Sequence, residues 1–230
     1  MNNEVNQKPG DYVLKASGLH FGYTGRPLWA GASHAWPAGV CLVEGDEGSG
    51  KTSLLQVLAG RMALQGGQLH YALPDSNAWE DKLPAHELFW QNPRAESSEA
   101  ERNTIVSDWV AQQVAKYPRW SAAVFERHAE AFELSQHAHK PLLALSTGSL
   151  RKLWLAAGWA SGAAVTLIDE PFAALDRPSE RHVQQVLGEL SREASATSHR
   201  CIIVAHWDAM QGVDWADVLA LPSDRKTPLQ

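Results

Sequence analysis

The chain has 230 residues and a formal net charge of -6. This length suits one large domain or a core with a smaller inserted lobe, and the acidic balance excludes the general basic character of a nucleic-acid-binding protein. The longest weakly apolar stretch, Leu153–Ile168, is interrupted by two glycines and a serine and is shorter than the ~20 residues that a membrane-spanning helix needs.

The N-terminus and the cysteines bear on the location of the protein. Residues 1–10 are polar and lack the apolar centre of a signal peptide, so we predict a flexible tail there and one domain over residues 11–230. Cys41 and Cys201 each lie in an apolar run, which predicts buried thiols without a disulfide framework. We therefore expect a reducing compartment.

The first third of the chain predicts strands around one helix. Apolar or alternating runs predict four strands, at Val13–Phe21, Leu28–Trp36, Gly39–Glu44 and Gln68–Leu73. A glycine- and proline-containing turn separates the first two strands. Ser53–Ala59 carries apolar residues at helical spacing, and Gly66-Gly67 predicts a turn before the fourth strand.

The rest of the chain alternates helices with buried strands. Residues 94–103 are polar and predict an exposed loop, after which helical periodicity dominates. Ala164–Glu170 and Cys201–Ala205 are apolar strands that flank an amphipathic helix opened by Pro178. This alternation predicts a mostly parallel sheet covered on both faces, which an inserted helical lobe at about residues 95–163 interrupts.

The residues after Gly39–Glu44 fit the phosphate-binding pattern G-x-x-x-x-G-K-[ST] at every fixed position. The strand before it and the helix after it are the context that this P-loop requires. Its backbone N–H groups and the helix N-terminus can bind phosphate oxygens. We expect Lys51 to reach the β- and γ-phosphates and Thr52 to place its hydroxyl on Mg²⁺. The nucleotide-binding residues predicted here are Gly45, Asp46, Glu47, Gly48, Ser49, Gly50, Lys51, Thr52 and Ser53.

Further motifs follow in a fixed order. They are Gln91 after a short apolar run, Leu145-Ser146-Thr147-Gly148-Ser149 before a helix, Asp169-Glu170 at a strand end, Ala174-Leu175-Asp176, and His206 after a buried strand. With the P-loop, they resemble the nucleotide-binding subunit of ATP-binding-cassette (ABC) transporters over about Leu14–Leu221. The resemblance rests on the conjunction of the motifs more than on any single one.

The resemblance gives the two carboxylates separate roles. A strand that ends in paired carboxylates beside a P-loop brings both to the edge of the sheet where phosphates bind. Asp169 is expected to hold Mg²⁺, directly or through water, and Glu170 to polarise the attacking water. The alternative is a solvated strand end.

The segment that begins at Leu145 resembles the family signature, usually Leu-Ser-Gly-Gly-Gln. Leu145, Ser146 and Gly148 match it, whereas Thr147 and Ser149 depart from it. In the family this segment binds the ATP of the opposite subunit, so the departures put the strength of ATP-driven dimerisation in doubt. Taken alone, the segment is a helix cap.

The remaining site residues follow from the resemblance. Gln91 matches the Q-loop glutamine that touches Mg²⁺ or water. Asp176 matches the D-loop that crosses the dimer interface; its other interpretation is a helix N-cap, and both can be true. His206 matches the switch histidine that contacts the γ-phosphate. Tyr23 matches the aromatic residue that stacks on adenine, with Phe21 and Trp29 as competitors.

The implied fold is an α/β P-loop NTPase with a mostly parallel sheet, flanking helices, an N-terminal antiparallel β portion and the inserted helical lobe. The implied function is Mg²⁺-dependent ATP hydrolysis that powers transport through separate transmembrane permease subunits. A second copy of the chain or a related cassette would complete a head-to-tail dimer. The protein would be cytoplasmic and peripheral on the cytoplasmic face of a membrane.

Three other functions compete with this interpretation. A soluble ABC-type ATPase acting on nucleic acid or ribosomes usually has coiled-coil arms or two fused cassettes, which this acidic chain lacks. A P-loop kinase for a small molecule would not need the segment at Ser146, nor Gln91 and His206. A regulatory cassette with weak hydrolysis stays open because of Thr147 and Ser149, although Glu170 argues against it.

Overall fold

The computed structural model describes residues 11–74, 76–91, 98–193, 199–222 and 228–229. Its strands are β1 Leu14–Tyr23, β2 Arg26–Trp36, β3 Gly39–Glu44, β4 Gly66–Ala72, β5 Trp79–Glu80, β6 Leu88–Trp90, β7 Val165–Asp169, β8 Cys201–His206 and β9 Asp217–Ala220. Its α-helices are α1 Lys51–Leu58, α2 Glu99–Asn103, α3 Val106–Lys116, α4 Ala122–Ala131, α5 Thr147–Ala160 and α6 Arg177–Glu193. The tail predicted for residues 1–10 lies outside the described residues.

The N-terminal strands form an antiparallel sheet in the order β2-β1-β4-β5, which confirms the antiparallel portion of the expected fold. The turn predicted at Gly66-Gly67 is wrong, because both residues belong to β4. Gly67 has a φ of 83°, and a Cβ atom there would lie 2.3 Å from the carbonyl oxygen of Gly18 in β1. The sequence pattern indicates a chain reversal at this position. Glycine is instead needed there because two strands approach each other closely.

The second sheet is parallel, with the order β6-β7-β8-β3-β9. The strand before the P-loop, β3, therefore lies between β8 and β9, and β7 lies one strand further along. The sequence pattern misses β9, because its four residues include a single buried side chain, Leu219. In this arrangement the carboxyl ends of β3, β7 and β8 share one edge of the sheet.

Alternate residues of the central strands face two different hydrophobic cores. Cys41 and Val43 of β3 pack toward the antiparallel sheet and α1, whereas Val40 packs toward the helices that cover the other face. The same alternation holds in β8, where Ile203 faces the first core and Ile202 the second. Because both faces are covered, these strands are continuously apolar, as predicted for a buried parallel sheet.

Helices α2 to α5 lie between β6 and β7 in the chain. The exposed loop predicted for residues 94–103 is wrong at its end, where Ser98 accepts a hydrogen bond from Glu101 N and caps α2. The Ser121 hydroxyl caps α4 in the same way. None of the described helices is both long enough and apolar enough to cross a membrane.

A buried carboxylate fixes this helical segment to the parallel sheet. Glu87, just before β6, forms a salt bridge with Arg119 in the α3–α4 connection and accepts a hydrogen bond from Ala164 N at 3.1 Å. Arg119 Nε also donates to the carbonyl oxygen of Gly162 at 2.9 Å. These bonds join the starts of β6 and β7 to the α3–α4 connection.

Candidate nucleotide-binding site

The P-loop connects β3 to α1 and adopts backbone conformations that glycine permits. Gly48 has a φ of 78° and Gly50, the N-cap of α1, has a φ of 108°. The first turn of α1, which the structure describes completely, contains no acidic side chain. The positive end of the helix dipole is therefore not neutralised locally, which suits an anion such as a phosphate.

Lys51, the first residue of α1, is buried at 6% exposure. Its Nζ donates hydrogen bonds to the carbonyl oxygens of Gly45 at 2.6 Å and Asp46 at 3.1 Å. The same Nζ lies 3.4 Å from Glu170 Oε1. The ammonium group is thus fixed between the P-loop backbone and the carboxylate at the end of the β7 strand.

Thr52 and Asp169 meet at the same edge of the sheet. Thr52 Oγ1 donates a hydrogen bond to Asp169 Oδ2 at 2.8 Å, and Asp169 is 4% exposed. One hydroxyl oxygen and one carboxylate oxygen side by side are the hard oxygen donors that Mg²⁺ prefers. This pair of residues fits the proposed metal position.

Glu170 follows β7 with a φ of 48° and precedes Pro171. A residue before proline is biased toward extended conformations, so this left-handed conformation stores strain on the order of 1–3 kcal/mol. Surrounding bonds hold it in place, including one from Glu170 N to the carbonyl oxygen of Ala205 at 2.9 Å. Strain of this kind concentrates at functional sites.

His206, the last residue of β8, lies 2.9 Å from Glu170 Oε2 through its Nδ1. Since a carboxylate only accepts hydrogen bonds, Nδ1 carries the proton. The imidazole ring lies between Phe172, edge-on at 5.3 Å between centroids, and Trp207 at 5.4 Å. These contacts fix the orientation of the ring. Nε2 is the second of its two nitrogen atoms.

Two neighbours set the charge of Glu170. Burial raises the pKa of this carboxyl, but the hydrogen bond from His206 and the positive charge of Lys51 outweigh burial, so its pKa lies below the ordinary value. Glu170 is therefore ionised near neutral pH, which is the form that accepts a proton or polarises water.

Three aromatic residues compete for the adenine position, and burial separates them. Phe21 and Trp29 stack on each other in the core and are almost fully buried. Tyr23 is 53% exposed, and its hydroxyl lies 3.0 Å from Ser53 Oγ in the first turn of α1. Tyr23 thus offers an accessible ring beside the P-loop helix.

The signature segment forms the start of α5. Ser146 is the N-cap, and its Oγ accepts a hydrogen bond from Ser149 N at 3.0 Å and lies 2.9 Å from Ser149 Oγ. A Cβ atom on Gly148 would lie 2.4 Å from the carbonyl oxygen of Ala174. In the part of the chain that the structure describes, these contacts join Ser146 and Gly148 to α5 and to the D-loop, not to the P-loop.

The two remaining predicted site residues are Asp176, which precedes α6, and Gln91. Asp176 caps α6 by accepting a hydrogen bond from Ser179 N at 2.9 Å, and its salt bridge with Lys152 at 2.6 Å holds its pKa well below the usual range. Gln91 directly follows β6 and lines a small cavity whose wall also includes Asp169. The N-cap interpretation of Asp176 is therefore confirmed by its geometry.

The sequence analysis missed two arginines at the site. Arg26 Nη2 donates to the carbonyl oxygen of Gly48 in the P-loop at 2.6 Å, and Arg151 of α5 donates to the carbonyl oxygens of Asp169 and Glu170. Arg26 is the first residue of β2 and Arg151 lies in a helix, and neither has a local pattern that marks it. Spacing offers one signal for Arg151, which comes five residues after the signature serine.

The fold and this geometry define the class of the protein. A parallel sheet whose shared edge carries a P-loop, a buried lysine and two carboxylates is the architecture of the P-loop nucleoside triphosphatases. The comparisons with known proteins narrow this class. The family model described as "ABC transporter" matches residues 35–173. The chain belongs to the ABC transporter family and is an ATP-binding, ATP-hydrolysing subunit.

Two curated relatives illustrate the match. The cytochrome c biogenesis ATP-binding export protein CcmA of Shewanella oneidensis is 30% identical over 181 residues, which cover 76% of this chain and 80% of the relative. The hemin import ATP-binding protein HmuV of Streptomyces coelicolor is 30% identical over 229 residues, which cover 93% of this chain and 75% of the relative.

Solved structures support the fold. The structure of cbiO1 from Clostridium perfringens, part of the ABC transporter complex cbiONQ, superposes with a TM-score of 0.55 at 20% identity. The superposition covers 86% of this chain and 79% of that chain. At this identity the likeness concerns the architecture alone.

Proposed function

We propose that this chain hydrolyses ATP at the site between the P-loop and Glu170, and that it passes the resulting motion to separate membrane subunits. One observation carries the proposal. Glu170 is an ionised carboxylate that lies between Lys51 at 3.4 Å and His206 at 2.9 Å, at the sheet edge where the P-loop begins α1. A base, a cation and a hydrogen-bonding imidazole thus converge on one point.

The P-loop would bind the phosphates. Its backbone N–H groups and the α1 terminus would contact the β- and γ-phosphate oxygens, and Lys51 would exchange its bonds with the loop carbonyls for bonds to phosphate. Thr52 and Asp169 would hold Mg²⁺, with Gln91 as a further oxygen donor near Asp169. When bound, Mg²⁺ neutralises phosphate charge that would otherwise repel the attacking water.

Glu170 and His206 would act on the reacting water and the γ-phosphate. The lowered pKa of Glu170 keeps it able to accept a hydrogen bond from water, which orients the water for attack. Because Nδ1 of His206 bonds to Glu170, a hydrogen bond from Nε2 to phosphate requires the doubly protonated ring. Tyr23 would place its exposed ring on the adenine base.

The signature segment would complete the site of a second subunit. Ser146 and Gly148 lie at the N-terminus of α5, whose dipole favours a phosphate. They would contact the ATP held by another copy of the chain, or by a related cassette, and Asp176 would lie at the interface. We place the dimer on the cytoplasmic face of a membrane, against permease subunits that contact the helical lobe at about residues 95–163.

A regulatory cassette with weak hydrolysis is the second candidate, and one observation favours it. The Ser146 hydroxyl, which the dimer would offer to ATP, already lies within hydrogen-bond distance of Ser149 Oγ. In the usual signature a glutamine stands at position 149. The Ser146–Ser149 contact competes with ATP for the same hydroxyl, so dimerisation would be weaker than in relatives with the usual signature.

Phosphate release and ATP binding, measured on the same samples, test the proposal. The purified chain should release phosphate from ATP only with Mg²⁺ present, and Glu170→Gln should remove this activity while ATP affinity stays within about threefold, because the substitution removes a charge that acts on water. Glu126→Gln, an exposed change on α4, is the matched control. Wild-type turnover by Glu170→Gln would exclude Glu170 as the catalytic carboxylate.

A further inference from the structure

Arg151 is a buried arginine whose hydrogen bonds converge on the backbone of the catalytic segment. It is 8% exposed, and its Nη1 donates to the carbonyl oxygen of Asp169 at 2.8 Å and to that of Glu170 at 2.7 Å. These carbonyls belong to the two peptide groups on either side of the Glu170 Cα atom. One nitrogen atom therefore restrains both peptide planes that set the direction of the Glu170 side chain.

The conformation that Arg151 restrains is one that the local sequence disfavours. Glu170 has a φ of 48° before Pro171, and proline contributes no N–H group with which to hold the following turn. The carbonyl oxygen of Glu170 also accepts a hydrogen bond from Ala173 N at 3.1 Å. Without the bonds from Arg151, the peptide is expected to relax and carry the carboxylate away from His206 and Lys51.

Arg151 also joins this carboxylate to the signature segment. It lies in the second turn of α5, the helix that Ser146 caps. The same end of α5 touches the D-loop twice, through the close approach of Gly148 to Ala174 and through the salt bridge from Lys152 to Asp176 at 2.6 Å. A displacement of α5 therefore acts directly on the backbone around Glu170.

We propose that Arg151 is a positioning residue that holds Glu170 in its hydrolytic geometry and transmits movement of the signature helix to Glu170 of the same chain. This inference rests on the proposed function of Glu170. It assigns the divergent signature segment a role within its own subunit, separate from any contact with the ATP of a second subunit. It predicts that Arg151 affects turnover and not nucleotide affinity.

Steady-state kinetics with a matched control test the turnover part. Arg151→Met should lower kcat by about 10- to 100-fold, as a misplacement near 1 Å does, while KM and ATP affinity change by less than about threefold. The control is Arg200→Met, which also removes arginine bonds to backbone carbonyls, those of Gly158 and Trp159 at the opposite end of α5 from Ser146 and that of Ala163 after the helix. It should keep kcat within about twofold, and Arg151→Lys should restore part of the lost turnover.

A spectroscopic readout without nucleotide keeps the inference separate from the proposed function. The ¹⁵N chemical shifts of the His206 ring report its bond to Glu170, and they should move in Arg151→Met and stay unchanged in Arg200→Met. If the wild type hydrolyses no ATP, the proposed function fails, and the His206 shifts alone decide whether Arg151 positions Glu170. Unchanged His206 shifts in Arg151→Met would overturn the inference. A rise in KM by the same factor as the expected loss of kcat, with kcat itself unchanged, would also overturn it. If Arg151→Met does not fold, Arg151→Gln replaces it under the same criteria.

Discussion

His128 provides a quantitative test of how the helical segment packs on the core. It lies on α4 at 1% exposure, with Nδ1 3.1 Å from His182 Nε2 on α6 and its ring edge-on to Trp159. Burial is the main cause that lowers its pKa to about 4, and the charges of Arg127 and His182 add to the effect. The nearby Glu189 opposes the shift without reversing it.

The sign of the pH dependence follows from this shift. Because the folded-state pKa of His128 lies below the ordinary value of about 6.5, the unfolded chain binds an additional proton between pH 6.5 and pH 4. The stabilisation is therefore complete above pH 6.5 and is lost as the pH falls toward 4. Two-state linkage predicts that the free energy of unfolding falls by about 2 kcal/mol between pH 8 and pH 5.

Urea unfolding of the wild type and of His128→Gln at pH 8 and pH 5 measures this effect. Glutamine keeps hydrogen-bonding capacity toward His182 but does not titrate, so the difference in unfolding free energy between the two proteins should shrink by about 2 kcal/mol on acidification. Titrating groups that do not contact His128 cancel in the difference. A difference that stays constant with pH would refute the conclusion that His128 is buried as the neutral imidazole.

Two further substitutions address the site itself. Lys51→Ala should abolish ATP binding in titration calorimetry, because it removes the cation that we propose contacts the β- and γ-phosphates. Unchanged affinity would contradict the P-loop assignment. Gly148→Ala should lower both ATP turnover and the melting temperature. Its Cβ would lie 2.4 Å from the carbonyl oxygen of Ala174. This clash outweighs the gain of up to ~1 kcal/mol in helix propensity from replacing glycine by alanine. A raised melting temperature with intact turnover would exclude the close approach of Gly148 to Ala174.

The parts of the fold that sequence alone could predict are those with a local signal. Continuous apolar runs identified β3, β7 and β8, because burial on both faces leaves no polar alternation to obscure the pattern. The apolar spacing of Ser53–Ala59 located α1, although the helix begins two residues earlier, at Lys51. β9 has no comparable signal, since pairing with β3 holds it in the sheet although its side chains are mostly accessible.

The same distinction applies to the site. Lys51, Asp169 and Glu170 occupy motif positions, so their meeting at one sheet edge could be predicted from parallel topology. Arg151 could not be found in this way, because its partners are backbone carbonyls 18 and 19 residues away in the sequence. Backbone acceptors leave no residue-type signature, and only the packing of α5 against the end of β7 shows which carbonyls the guanidinium reaches.

The most direct test of the account is the mass in solution of the Glu170→Gln protein with and without Mg-ATP. Because this variant should bind ATP without hydrolysing it, the account predicts a shift from monomer to dimer when Mg-ATP is added, with each P-loop facing the Ser146 segment of the other copy. The dimer should disappear in the Lys51→Ala, Glu170→Gln double variant. A Glu170→Gln protein that binds ATP and stays monomeric would contradict ATP-driven self-association and would favour the regulatory cassette.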